Sequence, residues 1–286
     1  MHVSVISTGG TIACTRDEAG ALVPTLSAAQ LIERAGLEGV DGRDITAVDS
    51  SSMRFSDIDT LVSAVHEELA EHASVVVTHG TDSLVESAFA LALMCPGSVA
   101  VTGAMRPADH PDPDGPRNLS DAVRSVSDGV SVVFGGEVLP ARGLVKAHTS
   151  SLSPFQRTGN VEEVVVTVPP VSISGINVPI VSCFPGAPAS ILDGIGAADG
   201  LILEGLGAGN VSAEVGEAIA DLHIPTVLTT SVPFGKVEFS YGGPGGGNSL
   251  GAKGVIPSGW LRAGQARIAL AVALAAGIDP AEVIGA

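Results

Sequence analysis

The chain has 286 residues, 45% of them hydrophobic and 16% charged, so it is long and apolar enough to form one or two globular domains with a sizeable core. This composition excludes a disordered chain. A formal net charge of −17 at pH 7 argues against nucleic-acid partners and against an anionic membrane surface, because both attract Lys and Arg.

Strand-like and helical patterns alternate along the first part of the chain. The clearest helix is predicted behind Ser56 as N-cap, where apolar side chains recur at helical spacing. Strands are predicted at 2–7, 45–48, 74–78, 98–102, 129–134, 137–139, 144–146 and 161–168. Helices are predicted at 27–35, 56–72, 82–94 and 118–128. Such alternation is typical of a mainly parallel sheet with helices on both faces.

A second β/α series follows a proline-containing stretch. Its strands are predicted at 178–184, 199–203 and 225–229, and its helices near 188–195, 212–222 and 263–276. The predicted fold class is therefore α/β with two domains. These are an N-terminal domain over 1–168 with a mainly parallel sheet, a linker over 169–177, and a smaller C-terminal α/β domain over 178–286.

Polar loops follow the first four predicted strands. Residues 8–13 read Thr-Gly-Gly-Thr-Ile-Ala, and residues 78–82 read Thr-His-Gly-Thr-Asp. Glycine lets the backbone approach a ligand closely, while each threonine offers a hydroxyl. Residues 49–52 and 103–107 follow the second and fourth strands. Because ligands of open α/β sheets bind outside the carboxyl ends of the strands, the four loops predict one site for covalent catalysis on a small polar molecule.

These loops resemble the motifs of the L-asparaginase (asparaginase/glutaminase) family, and most of all its cytoplasmic bacterial type. The matching segments are 8–13, 49–51 (Asp-Ser-Ser), 79–82 (His-Gly-Thr-Asp), 103–107 (Gly-Ala-Met-Arg-Pro) and 114–119 (Asp-Gly-Pro-Arg-Asn-Leu). The resemblance is specific over roughly the first 155 residues and weaker but collinear beyond them, where residues 205–210 resemble a family loop.

The resemblance implies roles for particular residues. Thr11 would be the nucleophile, and Thr81, Asp82 and Lys146 would form the polar group that moves protons. The substrate would be bound by Gly10, Ser50, Ser51, Gly80, Thr81, Asp82 and Ala104. The implied reaction converts L-asparagine to L-aspartate and ammonia through an acyl-enzyme, in a homodimer or homotetramer that uses no metal or cofactor. A weaker glutaminase activity is left open.

The segment after the first motif departs from the family pattern. Many members carry a tyrosine there, whereas residues 15–24, which we expect to form a lid, contain none, and Tyr241 is the only tyrosine of the chain. The missing tyrosine favours a non-catalytic amino-acid-binding relative. A third alternative is an amidase subunit acting on aminoacyl-tRNA. That role normally requires an N-terminal extension and a basic surface, and we expect this chain to have neither.

Cysteine and histidine spacings give no metal-binding motif. Cys14, Cys95 and Cys183 form no CxxC pair. His79 is predicted to be a structural hydrogen-bonding residue and not a general base. The remaining histidines are interpreted as surface or supporting residues: His2, His66, His72, His110, His148 and His223. Neither a signal peptide nor a membrane-spanning stretch is predicted, so we expect a cytoplasmic protein.

Overall fold

The structure, a computed structural model, describes residues 2–161 and 166–285. It divides into two compact units, Met1–Gln156 and Arg157–Ala286. Each unit is built on a mainly parallel sheet with helices, and the first unit is the larger. The predicted two-domain α/β fold class is confirmed. The unit boundary precedes the segment 169–177, and our assignment of that segment as the linker stays a proposal.

The first unit contains the main sheet of the protein. Its strands are β1 (Val3–Ser7), β2 (Cys14–Arg16), β3 (Leu22–Pro24), β4 (Val40–Asp44), β5 (Ser74–Thr78), β6 (Val99–Thr102), β7 (Val130–Phe134), β8 (Glu137–Pro140), β9 (Leu144–Lys146) and β10 (Phe155–Arg157). Its helices are α1 (Ala28–Arg34), α2 (Phe55–Glu71), α3 (Leu84–Met94) and α4 (Gly115–Ser125). Short 3-10 turns cover Thr11–Ala13 and Ser50–Ser52.

The main sheet has the strand order β4-β1-β5-β6-β7-β8, with all neighbours parallel except the antiparallel pair β7 and β8. Among the parallel strands alone this is the order 2-1-3-4-5 of a doubly wound fold. The strand order reverses between β1 and β5, and ligands of such folds bind at the carboxyl ends of the strands at this reversal. The two threonine loops follow β1 and β5, so the topology places both of them there.

Continuous apolar strands and an amphipathic helix build the core of this unit. Every residue of β1 and β5 is buried, as expected for parallel strands covered on both faces. The apolar stripe predicted for the second helix is confirmed, because Ile58, Leu61 and Val65 of α2 are buried. The strand ends are therefore held by a packed core, so the loops that follow them start from fixed positions.

Several elements predicted from the sequence have wrong boundaries. The second strand of the main sheet is Val40–Asp44, not 45–48, and α2 begins at Phe55, where Asp57 accepts a hydrogen bond from the Arg54 backbone at 2.8 Å. Helix α4 begins at Gly115 because Pro116 fits the first turn of a helix, whose N–H groups need no intrahelical partner. Of the predicted strand 161–168, residues 162–165 lie outside the described residues, and the described remainder is not a strand.

The segment predicted to be a lid is a β-hairpin. Strands β2 and β3 pair antiparallel, with Cys14 opposite Pro24 and Arg16 opposite Leu22. Asp17 closes the turn, because its carboxylate accepts backbone hydrogen bonds from two residues further along the turn at 2.8 and 2.9 Å. Thr15 of β2 is hydrogen-bonded to Thr25, the residue after β3, through their hydroxyl groups, which are 2.9 Å apart. The hairpin is therefore an ordered element that stands beside the first threonine loop.

The second unit contains a smaller parallel sheet, in the order β11-β12-β13-β14. Its strands are β11 (Ile180–Ser182), β12 (Leu201–Gly205), β13 (Thr226–Thr230) and β14 (Ile256–Pro257), and its helices are α5 (Ala213–Ala218), α6 (Gly247–Gly251), α7 (Ala263–Ala276) and α8 (Pro280–Ile284). The helix predicted at 188–195 is instead two 3-10 turns, separated by Gly194 at a φ of 79°. Within residues 2–161 and 166–285, no helix has the length and apolarity needed to cross a membrane.

Candidate active site

Gly10 and Gly80 bring the two threonine loops into backbone contact. A Cβ atom on Gly10 would lie 2.5 Å from both Cα and N of Gly80, closer than any side chain allows. Gly10 also has φ 78° and ψ 177°, a conformation that is essentially restricted to glycine. The two glycines that were predicted to bind substrate therefore allow the loops to pack against each other. Their backbone N–H and C=O groups lie just beyond the carboxyl ends of β1 and β5.

Ser50 completes the junction from a third loop. Its side chain lies so close to Gly80 that a Cβ atom on that glycine would be 2.6 Å from Ser50 Cβ. The Ser50 hydroxyl accepts a hydrogen bond from the backbone N–H of Asp82 at 3.3 Å, and the Ser50 carbonyl accepts one from the hydroxyl of Ser83 at 2.7 Å. The loops after β1, β4 and β5 are thus locked together around two glycines and one buried serine.

Lys146 reaches this junction from β9. Its Nζ atom donates hydrogen bonds to Thr81 Oγ1 and to Asp82 Oδ1, both at 2.8 Å. Thr81 is buried, whereas the side chain of Asp82 is 57% exposed and that of Lys146 is 24% exposed. The three side chains predicted to move protons are therefore in direct contact, although 64 residues separate Lys146 from Asp82. The Asp82 Oδ2 atom is not used in this ion pair and can accept a further donor.

Thr11 begins the 3-10 turn that follows Gly10. The next two residues, Ile12 and Ala13, are buried, and the Ala13 backbone N–H donates to the Gly10 carbonyl at 2.9 Å. This anchored turn leaves the side chain of Thr11 only partly buried. The sequence therefore places a hydroxyl group at the surface of a rigid turn, which is the arrangement that an attacking group requires.

These loops enclose a cleft of about 350 Å³. The cleft is large enough for a small polar molecule and too small for most macromolecular chains to enter. Its lining residues are Gly10, Thr11, Cys14, Leu22, Pro24, Ala47, Val48, Asp49, Ser50, Gly80, Thr81 and Asp82. Six of the predicted site residues are in this set, and Lys146 contacts two of the six.

Two predicted substrate-binding residues lie away from the cleft lining. Ser51 is exposed, and its hydroxyl donates to the carboxylate of Asp49 at 2.9 Å. Ala104 is buried in the apolar core of the first unit, where a Cβ atom on Gly115 would lie 3.5 Å from its methyl group. Neither side chain therefore lines the cleft. Ser51 would act on the substrate by positioning Asp49, and Ala104 would contact it with backbone atoms.

Asp49 lines the cleft and Asn118 supports the loop after β6, and sequence reasoning gave a role to neither of them. Asp49 caps the 3-10 turn Ser50–Ser52 and adds a second carboxylate to the cleft lining. Asn118 is buried in α4, and its side-chain amide donates to the Gly103 carbonyl at 2.9 Å and to Asp114 at 3.2 Å. Both residues belong to motifs that resemble the family, 49–51 and 114–119, but the sequence alone assigned no individual role to either residue.

Cys14 lines the cleft but is poorly suited to attack a substrate. Burial, and then the charges of Asp49 and Asp109, raise the pKa of its thiol. The thiol donates a hydrogen bond to the Gly10 carbonyl at 3.2 Å. Since the thiolate is the reactive form of cysteine, these effects leave Thr11 as the better candidate nucleophile of the first loop.

His79 is completely buried behind the second threonine loop. Burial lowers the pKa of its imidazole, which is therefore neutral at physiological pH, and its Nδ1 donates to the Gly80 carbonyl at 2.7 Å. Its Nε2 atom has no hydrogen-bond partner among the described residues. A neutral ring without contact to solvent cannot exchange protons with the cleft, and this supports a structural role in fixing the Gly80 peptide.

Replacing Gly10 with alanine tests the loop junction. We expect Gly10→Ala to lower the free energy of unfolding by ~1–3 kcal/mol more than Gly20→Ala does, the usual range for overpacking. Gly20 is the matched control, because it also has a positive φ of 83° but has no atom within 4 Å of its added Cβ. Urea unfolding of both variants gives the comparison. Equal losses would show that the two loops are not in tight contact.

Family models match nearly the whole chain. The model described as Asparaginase, N-terminal, matches residues 2–172, and the model of the Glutaminase/Asparaginase C-terminal domain matches residues 177–285. In structure, the chain is similar to the thermostable L-asparaginase from Thermococcus kodakarensis, with a TM-score of 0.88 and 28% identity over 100% of this chain and 96% of the other. The similarity therefore extends over both units.

Curated relatives carry two different names. A probable L-asparaginase of Deinococcus radiodurans is 33% identical over 312 aligned residues, which cover 99% of this chain and 95% of the relative. One of the subunits of the glutamyl-tRNA(Gln) amidotransferase of Aeropyrum pernix is 30% identical, and the match covers 90% of this chain and 71% of that relative. Relatives with both names thus match almost all of this chain.

Proposed function

The chain belongs to the asparaginase/glutaminase family of amidohydrolases, and on that basis we propose that it hydrolyses L-asparagine to L-aspartate and ammonia. One observation carries the proposal. Lys146 Nζ lies 2.8 Å from both Thr81 Oγ1 and Asp82 Oδ1, at a cleft that Thr11 also lines. A hydroxyl, a proton-carrying group and a carboxylate are the parts that covalent hydrolysis of an amide needs.

The charges of the cleft suit an amino acid with a free ammonium group. Asp82 and Asp49 both line it, and the unpaired oxygen of Asp82 can accept a charge-assisted hydrogen bond from that ammonium. The substrate carboxylate would be held by hydroxyl and backbone N–H donors near Ser50 and Gly80. Binding at both ends of a short amino acid would leave its side-chain amide facing Thr11.

The proposed reaction has two halves. In the first, Thr11 Oγ1 attacks the amide carbon, and the hydroxyl proton passes through the Thr81 hydroxyl to Lys146, which accepts it in its amine form. Lys146 then returns a proton to the amide nitrogen, the C–N bond breaks, and ammonia leaves an ester on Thr11. In the second half, water attacks the ester under the same proton transfer and restores the Thr11 hydroxyl. Backbone N–H groups at Gly10 and Thr81 would stabilise the oxyanion in both halves.

A second candidate function is the amidase step on aminoacyl-tRNA. The similarity to the glutamyl-tRNA(Gln) amidotransferase protein of Aeropyrum pernix supports it. The charge of this chain opposes it, because a net charge of −17 repels the phosphates of tRNA. Free asparagine is therefore the preferred substrate in our proposal. Glutamine would be a weaker one, since its longer side chain shifts the amide along the cleft. A homodimer or homotetramer and a cytoplasmic location stay predictions from the family resemblance.

Ammonia release provides the direct test of the function. The purified protein is expected to release ammonia from L-asparagine faster than from L-glutamine, and more slowly from either D-isomer, because only the L-isomer presents ammonium, carboxylate and amide correctly together. The activity should survive treatment with EDTA, since the proposed chemistry uses protein groups alone. No release from any of the four amides would contradict the proposal. So would a loss on chelation that zinc or magnesium restores, in protein that remains folded after the EDTA treatment.

A further inference from the structure

A second cluster of chemically active side chains lies at the amino ends of the strands of the main sheet, whereas the cleft lies at their carboxyl ends. His2 directly precedes β1, Asp41 belongs to the edge strand β4, and His72 ends α2 just before β5. In the register of the sheet, Ser4 lies opposite Asp41, so the cluster stands at the amino ends of the strands. Each strand of five residues is about 16 Å long, and this length separates the cluster from the cleft.

The three side chains converge on one point. Asp41 Oδ2 lies 2.9 Å from His72 Nε2 and 3.5 Å from His2 Nδ1. One ligand atom from each of the three residues can be chosen so that all lie within 4.8 Å of one another. Two ligand atoms that bind the same tetrahedral ion at about 2.1 Å lie roughly 3.4 Å apart, so the observed separations bracket the value for a shared ion.

The outer contacts of His72 are those of a metal ligand. Its Nδ1 faces the Glu68 carbonyl at 3.1 Å and the Glu68 carboxylate at 3.2 Å. Metal-binding histidines almost always donate one ring N–H to a carbonyl or carboxylate, which fixes the tautomer and turns the other nitrogen to the ion. Glu68 is itself held by Arg43 at 3.1 Å. The Nε2 atom of His72 is thereby aimed at Asp41 with little freedom.

His2 is the adjustable member of the cluster. Its ring stacks on that of His72, with centroids 4.9 Å apart and 29° between the planes. Its side chain is 62% exposed, so it can rotate to bring Nδ1 towards an ion that Asp41 and His72 already hold. The backbone around it is fixed, because the His2 carbonyl accepts a hydrogen bond from the Ala73 N–H at 3.1 Å.

We propose that His2, Asp41 and His72 bind one divalent transition-metal ion of the Zn²⁺ class, with water as the remaining ligand. Two imidazoles and one carboxylate suit Zn²⁺, Ni²⁺ or Cu²⁺ and do not suit Mg²⁺, which prefers oxygen ligands. The ion would connect the start of β1, the edge strand β4 and the end of α2. It is a structural ion in this arrangement and takes no part in chemistry at the cleft.

This site departs from the expectation, made from sequence spacing, that no residue binds a metal. The ligands are separated by 39 and 31 residues along the chain, and no short motif joins them. Only the parallel order β4-β1-β5 brings the three positions together. Sequence spacing detects sites within one loop or helix, and this one is assembled from the ends of three elements.

Zinc titration tests the site without reference to activity. Protein without a histidine tag is treated with EDTA, exchanged into buffer and titrated with ZnCl₂ by calorimetry. We expect one ion per chain. His2→Ala should weaken zinc binding by at least ~10-fold, the lower end of the effect of removing even an outer partner of a metal site. His223→Ala is the matched control, because His223 is also an exposed histidine, and it should leave the affinity unchanged.

Two further measurements keep the test decisive. His72→Ala should remove zinc binding altogether. The thermal midpoint of the wild type should rise with zinc concentration, and that of His2→Ala should rise less at each concentration, as expected when only the folded state binds the ion. Unfolding curves without zinc establish that each variant is folded. The proposal is overturned if the wild type binds no zinc at 100 equivalents, if His2→Ala and His72→Ala bind as the wild type does, or if His223→Ala weakens binding equally.

Discussion

Thr11→Ala is expected to lower kcat for L-asparagine by at least ~10²-fold, since it removes the atom that would form the acyl-enzyme. The KM should change little, because the carboxylates and backbone donors that bind the amino acid remain. The unfolding midpoint should also change little, because the Thr11 side chain is only partly buried. Steady-state kinetics with thermal unfolding of the same preparation separates loss of chemistry from loss of fold.

Thr15→Ala is the matched control for this prediction. Thr15 is also a partly buried threonine of the same segment, and its hydroxyl contacts Thr25 within the hairpin, 2.9 Å away. The control should keep most of the activity. If Thr11→Ala retains more than about a tenth of the wild-type kcat, well short of the loss expected for a group in the reaction path, Thr11 is not the nucleophile.

Lys146→Met is expected to lower kcat by ~10²–10⁴-fold, the range for a positioned general acid–base group. Methionine keeps an unbranched side chain out to Cε and loses both hydrogen bonds that Nζ donates. Lys236→Met is the control, because Lys236 is a more exposed lysine that also has an acidic neighbour, Glu238, at 3.5 Å. Tyr241→Phe should cost much less than Lys146→Met. The reverse order would assign the proton transfer to Tyr241.

A double-mutant cycle shows whether Lys146 and Thr81 act as one unit. Thr81→Val removes the hydroxyl that Lys146 contacts at 2.8 Å, at nearly constant volume. If the two side chains form a single proton path, the double variant should lose about as much kcat as Lys146→Met alone, because groups that act together are not additive. Fully additive losses would mean that the two residues serve separate steps.

The sequence predicts the interior of this fold better than its edges. Strands β1 and β5 are continuous apolar runs, because helices cover both of their faces, and their positions were predicted to within a residue. Strand β4 is an edge strand of Val-Asp-Gly-Arg-Asp whose residues are exposed or partly exposed. It has no apolar pattern to detect, and the strand was predicted instead at the following residues 45–48, of which three are apolar.

Composition also misleads where local backbone geometry decides the structure. The hairpin of β2 and β3 contains Pro24 in a strand and carries exposed Leu22 and Val23, so it reads as a loop. Helix α4 starts within Asp114-Gly115-Pro116, which reads as a turn although Pro116 fits the first turn of a helix. The hairpin and the start of α4 depend on local contacts and backbone angles, and the spacing of hydrophobic residues does not reveal either of them.

The candidate site was predictable in its parts and not in its supporting contacts. The strand-end rule brings the loops after β1 and β5 together without any side-chain information. The contact of Lys146 with Thr81 depends on the path of β9, which no local pattern reveals. The resemblance to the family supplied Lys146, while the role of Asp49 and the buried amide of Asn118 became visible only with the structure.

The central claim is that Thr11 carries the acyl group, and mass spectrometry of a trapped intermediate tests it most directly. The protein is quenched in acid during turnover of a slowly hydrolysed asparagine analogue and digested with trypsin. Residues 1–16 form one tryptic peptide, which contains both Thr11 and Cys14, and fragmentation distinguishes them. Our account predicts an aspartyl-type adduct on Thr11 that is absent from Thr11→Ala. An adduct on Cys14 or Ser50 would contradict it.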